Sequence, residues 1–315
     1  MSDRVLSLGE ALIDVVIRPD SAVEHVGGSL LNVAVGLAAL GRKASLCAYW
    51  GDDDHGRMLS DWTRRAGVTL TPGTESAPKS PVAYAHLDEV GHATYEFAMT
   101  WAVPEPPDLT QFGHLHTGSI AATLEPGGAE VLELTRRMRN YGTVSYDPNV
   151  RPALMRQPEA VVDRIENMIS ASDVVKASDE DLEWLYPGTP VEDIMRRWVN
   201  SGPSMVVITR GPWGAYALLK SNRDMLHLDQ LRVEVADSVG AGDSFMAGMI
   251  SGLLDAGLLG SLEARGRLAA AGWSAVQPAL HRAVITSAIT VSNHGAYAPT
   301  IDEVNAMHAA DPQLL

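Results

Sequence analysis

The strongest constraint on the fold of this chain is a glycine-rich junction at positions 237–245, which reads Asp-Ser-Val-Gly-Ala-Gly-Asp-Ser-Phe. A strand-like run from Leu231 to Ala236 precedes it, and apolar residues at helical spacing follow it from Phe245 to Leu254. Glycines allow a tight turn, and the first N–H groups of a helix have no partner within that helix. The junction therefore predicts a strand, a turn and a helix whose start can bind an anion.

Asp243 ends the glycine turn, at a place where a carboxylate would repel a bound phosphate. One interpretation makes it the N-cap of the helix, a position at which Asp is favoured. The other interpretation makes it a general base beside a transferred phosphoryl group. The local sequence by itself favours the cap.

Length and composition exclude some classes of function. The chain has 315 residues, 46% of them apolar, which suits one large α/β domain. The formal charge of −15 argues against a nucleic-acid partner, which needs a basic surface. The single cysteine, Cys47, lies in an apolar stretch, which predicts a buried thiol and excludes a disulfide within the chain. Because we find neither a signal-peptide pattern nor a membrane-spanning apolar run, we expect no membrane partner and a cytoplasmic protein.

Residues 237–243 resemble the Asp-Ser/Thr-x-Gly-Ala-Gly-Asp signature of the ribokinase-like (PfkB) sugar kinases. Further stretches resemble that family in the expected order along most of the chain. In that family the last Asp is the catalytic base and the Gly-Ala-Gly backbone forms an anion hole. The resemblance therefore assigns catalysis to Asp243 and the anion hole to Gly240, Ala241 and Gly242.

The same resemblance implies a fold. We expect one ribokinase-like domain over residues 1–315, with three α/β/α layers and a mainly parallel central sheet. Strands from about 12–18 and 81–101, the latter with a turn at 88–91, would form a small β lid over the sugar. A homodimer that forms through this lid is a further expectation.

The sugar site implied by the resemblance begins in the N-terminal part of the chain. Asp14 interrupts an apolar series and is either a solvated strand edge or an acceptor of hydrogen bonds from sugar hydroxyls. Gly27 and Gly28 precede the helical run from Leu30 to Leu40 and would let the backbone approach the sugar. Asn32 lies within that helix, where it either bonds to neighbouring backbone or faces the sugar.

Two further residues are assigned to the sugar site. Trp101 follows the predicted hairpin and either stacks on a sugar face or packs beneath the lid. Arg151 ends a run that begins at Asp147 and resembles the Asp-x-Asn-x-Arg motif of fructokinase-type members. That resemblance places Arg151 near the sugar and the transferred phosphate, and an ordinary surface arginine is the alternative.

The ATP site implied by the resemblance lies in the C-terminal half. The apolar strand 205–209 leads into a turn that resembles the family's Thr-x-Gly-x-x-Gly loop. Lys176 either reaches a phosphate or is a solvated strand end. Ser178 and Asn293 stand where other members often have Asn and Arg. The residues assigned to ATP are Lys176, Ser178, Thr209, Gly211, Gly214 and Asn293.

Metal ions are implied less specifically. Asp181 replaces a family Glu that helps to order Mg²⁺, and Asp237 would contribute oxygens to a K⁺ site. The three consecutive acids at 52–54 are compatible with a metal site, but such a run on a turn is more often solvated.

Together these motifs predict an ATP-dependent kinase that phosphorylates a primary hydroxyl of a neutral sugar, with D-fructose first. The lid segment 95–101 lacks the arginine that would pair with an acid sugar's carboxylate. The alternatives are a 2-keto-3-deoxygluconate kinase, ribokinase or nucleoside kinase of the same family, and a sensor without turnover. Dinucleotide-binding and Walker motifs are absent from the sequence, which argues against a dehydrogenase and a P-loop enzyme.

Overall fold

A computed structural model of the chain describes residues 3–18, 20–87 and 93–310. Its strands, numbered in chain order, are β1 (Arg4–Leu8), β2 (Leu12–Arg18), β3 (Ser21–Gly27), β4 (Lys43–Cys47), β5 (Thr69–Leu70), β6 (Val82–Leu87), β7 (Ala93–Ala98), β8 (His114–Gly118), β9 (Thr143–Asp147), β10 (Val174–Ser178), β11 (Met205–Thr209), β12 (Ala215–Leu219) and β13 (Leu226–Leu228). Its helices are α1 (Ser29–Ala39), α2 (Asp54–Arg65), α3 (Gly127–Met138), α4 (Pro152–Met155), α5 (Pro158–Ser170), α6 (Asp179–Leu185), α7 (Val191–Ser201), α8 (Ala241–Asp255), α9 (Leu262–Ala269), α10 (Trp273–Val291) and α11 (Ile301–Ala310).

The central sheet has nine strands in the order β13-β12-β11-β10-β9-β8-β1-β4-β5. β12 pairs antiparallel with β11 and with β13, and the other six strand pairs are parallel, so the sheet is mainly parallel. Alternate side chains of each strand enter opposite cores, because successive residues of a strand point to opposite faces. In β11, Val206 and Ile208 pack with α3, α5 and α7, whereas Met205 and Val207 pack with α1, α8 and α10. The predicted three-layer α/β/α architecture is confirmed.

A second, four-stranded sheet has the order β3-β2-β6-β7, and we call it the lid. Its β2 packs Ile13 and Val15 against α1 and α2, which fixes the lid to the main body. Strand β3 was not expected from the sequence, because five of its seven residues are exposed and show no apolar alternation. The turn expected at 88–91 lies outside the described residues.

The run from Leu231 to Ala236 is a loop, so the strand predicted there is wrong. The N–H groups of Ala236 and Asp237 donate to the carbonyl of Val291 at 2.8 and 3.2 Å, which ties the segment to the end of α10. Four of its six residues are exposed, so the segment lacks the buried face that a central strand needs. The helix that follows begins at Ala241, as the glycine turn predicted.

Two other predictions concern burial and membranes. Cys47 is fully buried in β4, and burial raises the pKa of its thiol to about 11, so the thiol is unreactive at neutral pH. Within the described ranges, every helix is too short or too polar to cross a bilayer.

Helix α8 is held tightly between α1 and α10, and glycines make this contact possible. A Cβ atom at Gly252 would lie 2.5 Å from Cα of Ala279, and one at Gly248 would lie 2.3 Å from Oγ1 of Thr286. The Ala279 atom is backbone, and Oγ1 of Thr286 is held by hydrogen bonds to the carbonyls of Ser244 and Ala283 at 2.8 and 3.0 Å. The position of α8, and of its N-terminus, therefore depends on these small residues.

We expect Gly252→Val to lower the free energy of unfolding by about 3 kcal/mol, because the added methyl groups force α8 away from α10. Urea unfolding followed by circular dichroism measures this change. The matched control is Gly266→Ala in α9, where a Cβ atom meets no neighbour within 4 Å. The control should be neutral or stabilising by up to about 1 kcal/mol. Equal stability of the two variants would contradict the close packing described here.

Candidate active site

The candidate site lies at the carboxyl edge of the central sheet, where ligands bind in open α/β sheets. Strands β1, β9, β10 and β11 all end at this edge, and α1 and α8 begin beside it. The residues at or just after the four strand ends are Glu10, Asp147, Ser178 and Thr209. Parallel pairing therefore gathers side chains that are up to 200 positions apart in the sequence.

The glycine turn starts α8 with Gly240 as its N-cap, in the left-handed conformation with φ 76°. Position 240 also excludes a side chain, because a Cβ atom there would lie 2.6 Å from Cβ of Ala296. Asp243 is the third helical residue rather than the cap. The interpretation of Asp243 as an N-cap is therefore wrong.

The half-buried carboxylate of Asp243 takes its hydrogen bonds from α1 instead. Ser29 Oγ donates to Oδ1 at 2.7 Å, and Asn32 Nδ2 donates to Oδ2 at 2.8 Å. The alternative of a backbone partner does not describe the Asn32 amide, which donates to Asp243, and its contact with the sugar stays a prediction. Sequence reasoning gave Ser29 no role, although its spacing of three residues from Asn32 puts both on one helix face.

Lys176 lies directly beneath the glycine turn. A Cβ atom at Gly242 would lie 2.9 Å from the Lys176 ammonium nitrogen, so a side chain there would displace the ammonium from this position. The Lys176 side chain is buried and its Nζ lies 2.7 Å from Oδ2 of Asp147. The register between β9 and β10 brings these two residues side by side. The alternative of a solvated strand end is wrong for Lys176.

The charges of this ion pair depend on burial and on neighbouring carboxylates. Burial raises the pKa of Asp147 to about 6, and the Lys176 ammonium opposes that rise. Burial lowers the pKa of Lys176, but the carboxylates of Asp147, Asp181 and Asp243 more than offset it, so the net direction is upward. The ammonium is therefore charged at neutral pH, a fixed cation beside the predicted anion hole.

The predicted sugar side of the site surrounds Asp14. A Cβ atom at Gly27 would lie 2.2 Å from Oδ2 of Asp14, so glycine makes space for this carboxylate. Gly28 has φ 111° and lies against the carbonyl of Glu10. Asp14 is reached by solvent, yet desolvation raises its pKa against the opposing charges of Arg151 and His25. The sugar contacts of Asp14 stay a prediction.

Arg151 is exposed beside this carboxylate. Its Nη1 donates to Oδ1 of Asn149 at 2.8 Å, and its charge acts on both Asp14 and Glu10. The structure thus brings Arg151 close to Asp14 and Glu10, and its contact with sugar or phosphate stays a prediction.

Trp101 requires a correction. Its side chain is only 4% exposed, and its indole N–H donates to the carbonyl of Ala121 at 2.9 Å. The ring also covers Gly127, where a Cβ atom would lie 2.4 Å away. Trp101 packs in the core of the main body beside α3 rather than against the lid strands, and the stacking role on a sugar is wrong because the side chain is buried.

The residues assigned to ATP gather at the same edge. Ser178 and Thr209 are register partners at the ends of β10 and β11. Gly211 and Gly214, with φ 49° and 78°, form the turn that follows β11. Asn293 bonds to the carbonyl of Ile289 at 2.8 Å, within its own helix end. Nucleotide binding by these residues stays a prediction.

The two carboxylates assigned to metals are both engaged. Asp181 accepts from the N–H groups of Val150 and Ser178 at 2.7 and 2.8 Å, which joins the chain after β9 to the start of α6. Asp237 accepts from Val239 and Gly295 at 3.0 and 2.9 Å, which joins the glycine turn to the loop after α10. Direct metal ligation would compete with these bonds.

Among the described residues, no group of three or more His, Cys, Asp or Glu side chains forms a metal site. The acids at 52–54 cap and flank the start of α2. Partial burial opposes the ionisation of Asp53, but hydrogen bonds from Ser80 and Gly56 lower its pKa to about 2.

Comparison with known proteins identifies the family. The family model described as pfkB family carbohydrate kinase matches residues 2–303. This chain belongs to the pfkB family of carbohydrate kinases. A fructokinase of Rhizobium leguminosarum bv. trifolii is 32% identical over 261 residues, which cover 79% of each chain. A fructokinase of Klebsiella pneumoniae is 30% identical and covers 84% of this chain and 89% of its own.

A solved structure agrees with the fold of this carbohydrate kinase. A fructokinase from Xylella fastidiosa, crystallised with ATP, has a TM-score of 0.84 at 24% identity, covering 98% of this chain and 99% of its own. The resemblance of residues 237–243 to the family signature predicted a carbohydrate kinase, and the family match confirms this prediction.

The kinase also contains a buried acid that sequence reasoning missed. Glu10 follows β1 and is 6% exposed, and its Oε2 has no hydrogen-bond partner among the described residues. Burial raises its pKa to about 7, while a hydrogen bond from Ser119 and the charge of Arg151 act in the opposite direction. An acidic residue directly after a buried first strand was the available signal.

The raised pKa of Glu10 predicts a stability effect with a defined sign. Between its ordinary pKa of 4.5 and about 7, the folded protein holds a proton that the unfolded chain releases, so stability falls as pH rises through this window. The free energy of unfolding of Glu10→Gln minus that of wild type should increase from pH 5 to 7 by at most about 3 kcal/mol. Above pH 8 this difference should be constant. Urea unfolding at a series of pH values measures it. A matched Glu133→Gln change at an exposed site of α3 should give a flat difference, and a flat difference for Glu10 would contradict the buried acid.

The position of Lys176 makes Gly242 a sensitive site. We expect Gly242→Ala to lower kcat at least tenfold, because its methyl group would displace the ammonium or redirect the N–H groups of the turn. Steady-state kinetics with ATP and the sugar measure the effect, and Gly266→Ala is the control. Unchanged kcat and ATP KM in a folded variant would remove this turn from the active site.

Proposed function

We propose that this carbohydrate kinase transfers the γ-phosphoryl group of ATP to a primary hydroxyl of D-fructose, with Asp243 as the general base. The observation that carries the proposal is the place of the Asp243 carboxylate. It lies in hydrogen-bond contact with α1 on the predicted sugar side and at the start of α8, beside the Lys176 cation. The two fructokinases that are at least 30% identical support fructose as the acceptor.

The mechanism assigns each group one task. Asp14 and Asn32 hold the sugar by its hydroxyls, and Asp243 accepts the proton of the hydroxyl that attacks phosphorus. The N–H groups of the turn at 240–242 face the transferred group, together with the ammonium of Lys176. Phosphoryl transfer has a loose transition state, so its catalysis consists mainly of positioning and charge stabilisation.

We propose that Mg²⁺ enters with ATP and is held by the phosphates and water, as is usual for this ion in kinases. The engaged carboxylates of Asp181 and Asp237 support this arrangement over direct ligation by the protein. Backbone oxygens near Asp237 remain our candidates for K⁺, an ion present in a fructokinase structure from Vibrio cholerae.

We further propose a homodimer that forms through the lid. The edge strands β3 and β7 have one unpaired side each in the described part of that sheet. The location would be cytoplasmic, as the single cysteine and the use of ATP suggest.

A sugar screen with ATP tests the function. Fructose should give the highest kcat/KM among fructose, ribose, 2-keto-3-deoxygluconate and a nucleoside, read as ADP release and as phosphorylated product. Asp243→Asn should lose about 10²–10⁴-fold in kcat while ATP binding, measured by calorimetry, stays near wild type.

The outcomes separate the parts of the proposal. Fructose that is inert while another acceptor turns over would overturn the substrate and leave the kinase reaction standing. A folded Asp243→Asn variant with more than half of the wild-type kcat would remove Asp243 from the role of base.

A further inference from the structure

The hydrogen bond from Ser29 to Asp243 joins two helices that are 214 positions apart in the sequence. Ser29 is the first residue of α1 and is 7% exposed, so its hydroxyl has little access to bulk water. Its hydroxyl does not cap its own helix, because the N-cap position belongs to Gly28, which has no side chain. The hydroxyl is thus available to the Asp243 carboxylate.

The helix packing around this bond is rigid. A Cβ atom at Gly36 would lie 2.9 Å from Cβ of Ala247, so α1 and α8 are in close contact one turn beyond the bond. The start of α1 is fixed independently, because Ser7 Oγ in β1 donates to the carbonyl of Leu30 at 2.7 Å. Ser29 and Asp243 therefore meet at a distance set by the backbone.

The two oxygens of Asp243 have different partners, and this difference suggests different tasks. Asn32, the partner of Oδ2, is half-buried and belongs to the predicted sugar site, so a sugar hydroxyl can replace Asp243 as its acceptor. Ser29, the partner of Oδ1, is buried behind it and has no such second role. The hydrogen bond to Oδ1 therefore has a dedicated donor, whereas the donor to Oδ2 can exchange its acceptor.

We propose that Ser29 is a positioning residue for the catalytic base: its hydroxyl fixes Oδ1 of Asp243, so that Oδ2 points to the attacking hydroxyl of the sugar. The inference rests on the proposed role of Asp243 as the base. The bond from Ser29 restricts the rotation of the base. A hydroxyl that donates to a carboxylate also stabilises the ionised form.

Other charged groups act on Asp243 as well, and they define the background of any pH effect. Lys176 on β10, Asp147 at the end of β9 and Glu10 after β1 all interact with its charge. Substituting Ser29 leaves all three in place.

The test is Ser29→Ala, assayed with ATP and fructose. We expect kcat to fall roughly tenfold, the size of one hydrogen bond to a charged group, with both KM values within about twofold of wild type. The acid limb of the kcat–pH profile should move to higher pH, which a merely structural change would not cause. Ser29→Thr keeps the hydroxyl and should restore most of the rate.

The matched control is Ser7→Ala, which removes a buried hydroxyl that supports the same turn of α1 without touching Asp243. It should leave kcat and the pH profile near wild type even where its melting temperature falls. A Ser29→Ala variant that behaves like the Ser7→Ala variant, in a protein whose Asp243→Asn variant is inactive, would overturn the positioning role alone. An active Asp243→Asn variant would instead reject the proposed base, and the role of Ser29 with it.

Discussion

The carboxylate of Asp243 accepts hydrogen bonds from Ser29 and Asn32, and the rest of the site is arranged around this contact between α1 and α8. Both helices begin at the carboxyl edge of one sheet, so their positive ends converge on the same small region. A phosphoryl group that develops negative charge is stabilised there. A base of the same charge can remain in that region because donors from α1 hold it.

The buried ion pair of Lys176 and Asp147 places a positive charge in the same region. Removing two charges from water is costly, and such a pair seldom adds net stability over well-packed apolar residues. Its position beneath Gly242 gives it another use, because the ammonium is held in place beside the glycine turn without a flexible side chain having to be ordered during the reaction. Glycines at 27 and 242 serve the site in the same way, since each leaves room for a charged group where a methyl group would not fit.

Much of the fold followed from local sequence. Buried strands such as β1 and β11 read as short apolar runs, and the start of α8 was marked by two glycines and by apolar residues at helical spacing. The strand predictions failed where a segment is buried on one side only or not at all. The lid strand β3 is mostly exposed and gives no alternating pattern, whereas Leu231 to Ala236 has the composition of a strand but no partner in the sheet. Composition reports propensity, and pairing decides whether a strand forms.

The sequence by itself determined the class of chemistry, which is the phosphorylation of a sugar. The glycine turn with Asp243 and the motifs around it can be recognised from residue types and their order along the chain. Tertiary structure alone decided which side chains meet. It gave Asp243 its partner Ser29, placed Lys176 in a buried ion pair, closed the core over Trp101 and left Glu10 buried with a raised pKa. These outcomes depend on distances between strands and helices that are remote in sequence. A hydrogen bond, a burial or a pKa is a property of such distances, and no local pattern encodes them.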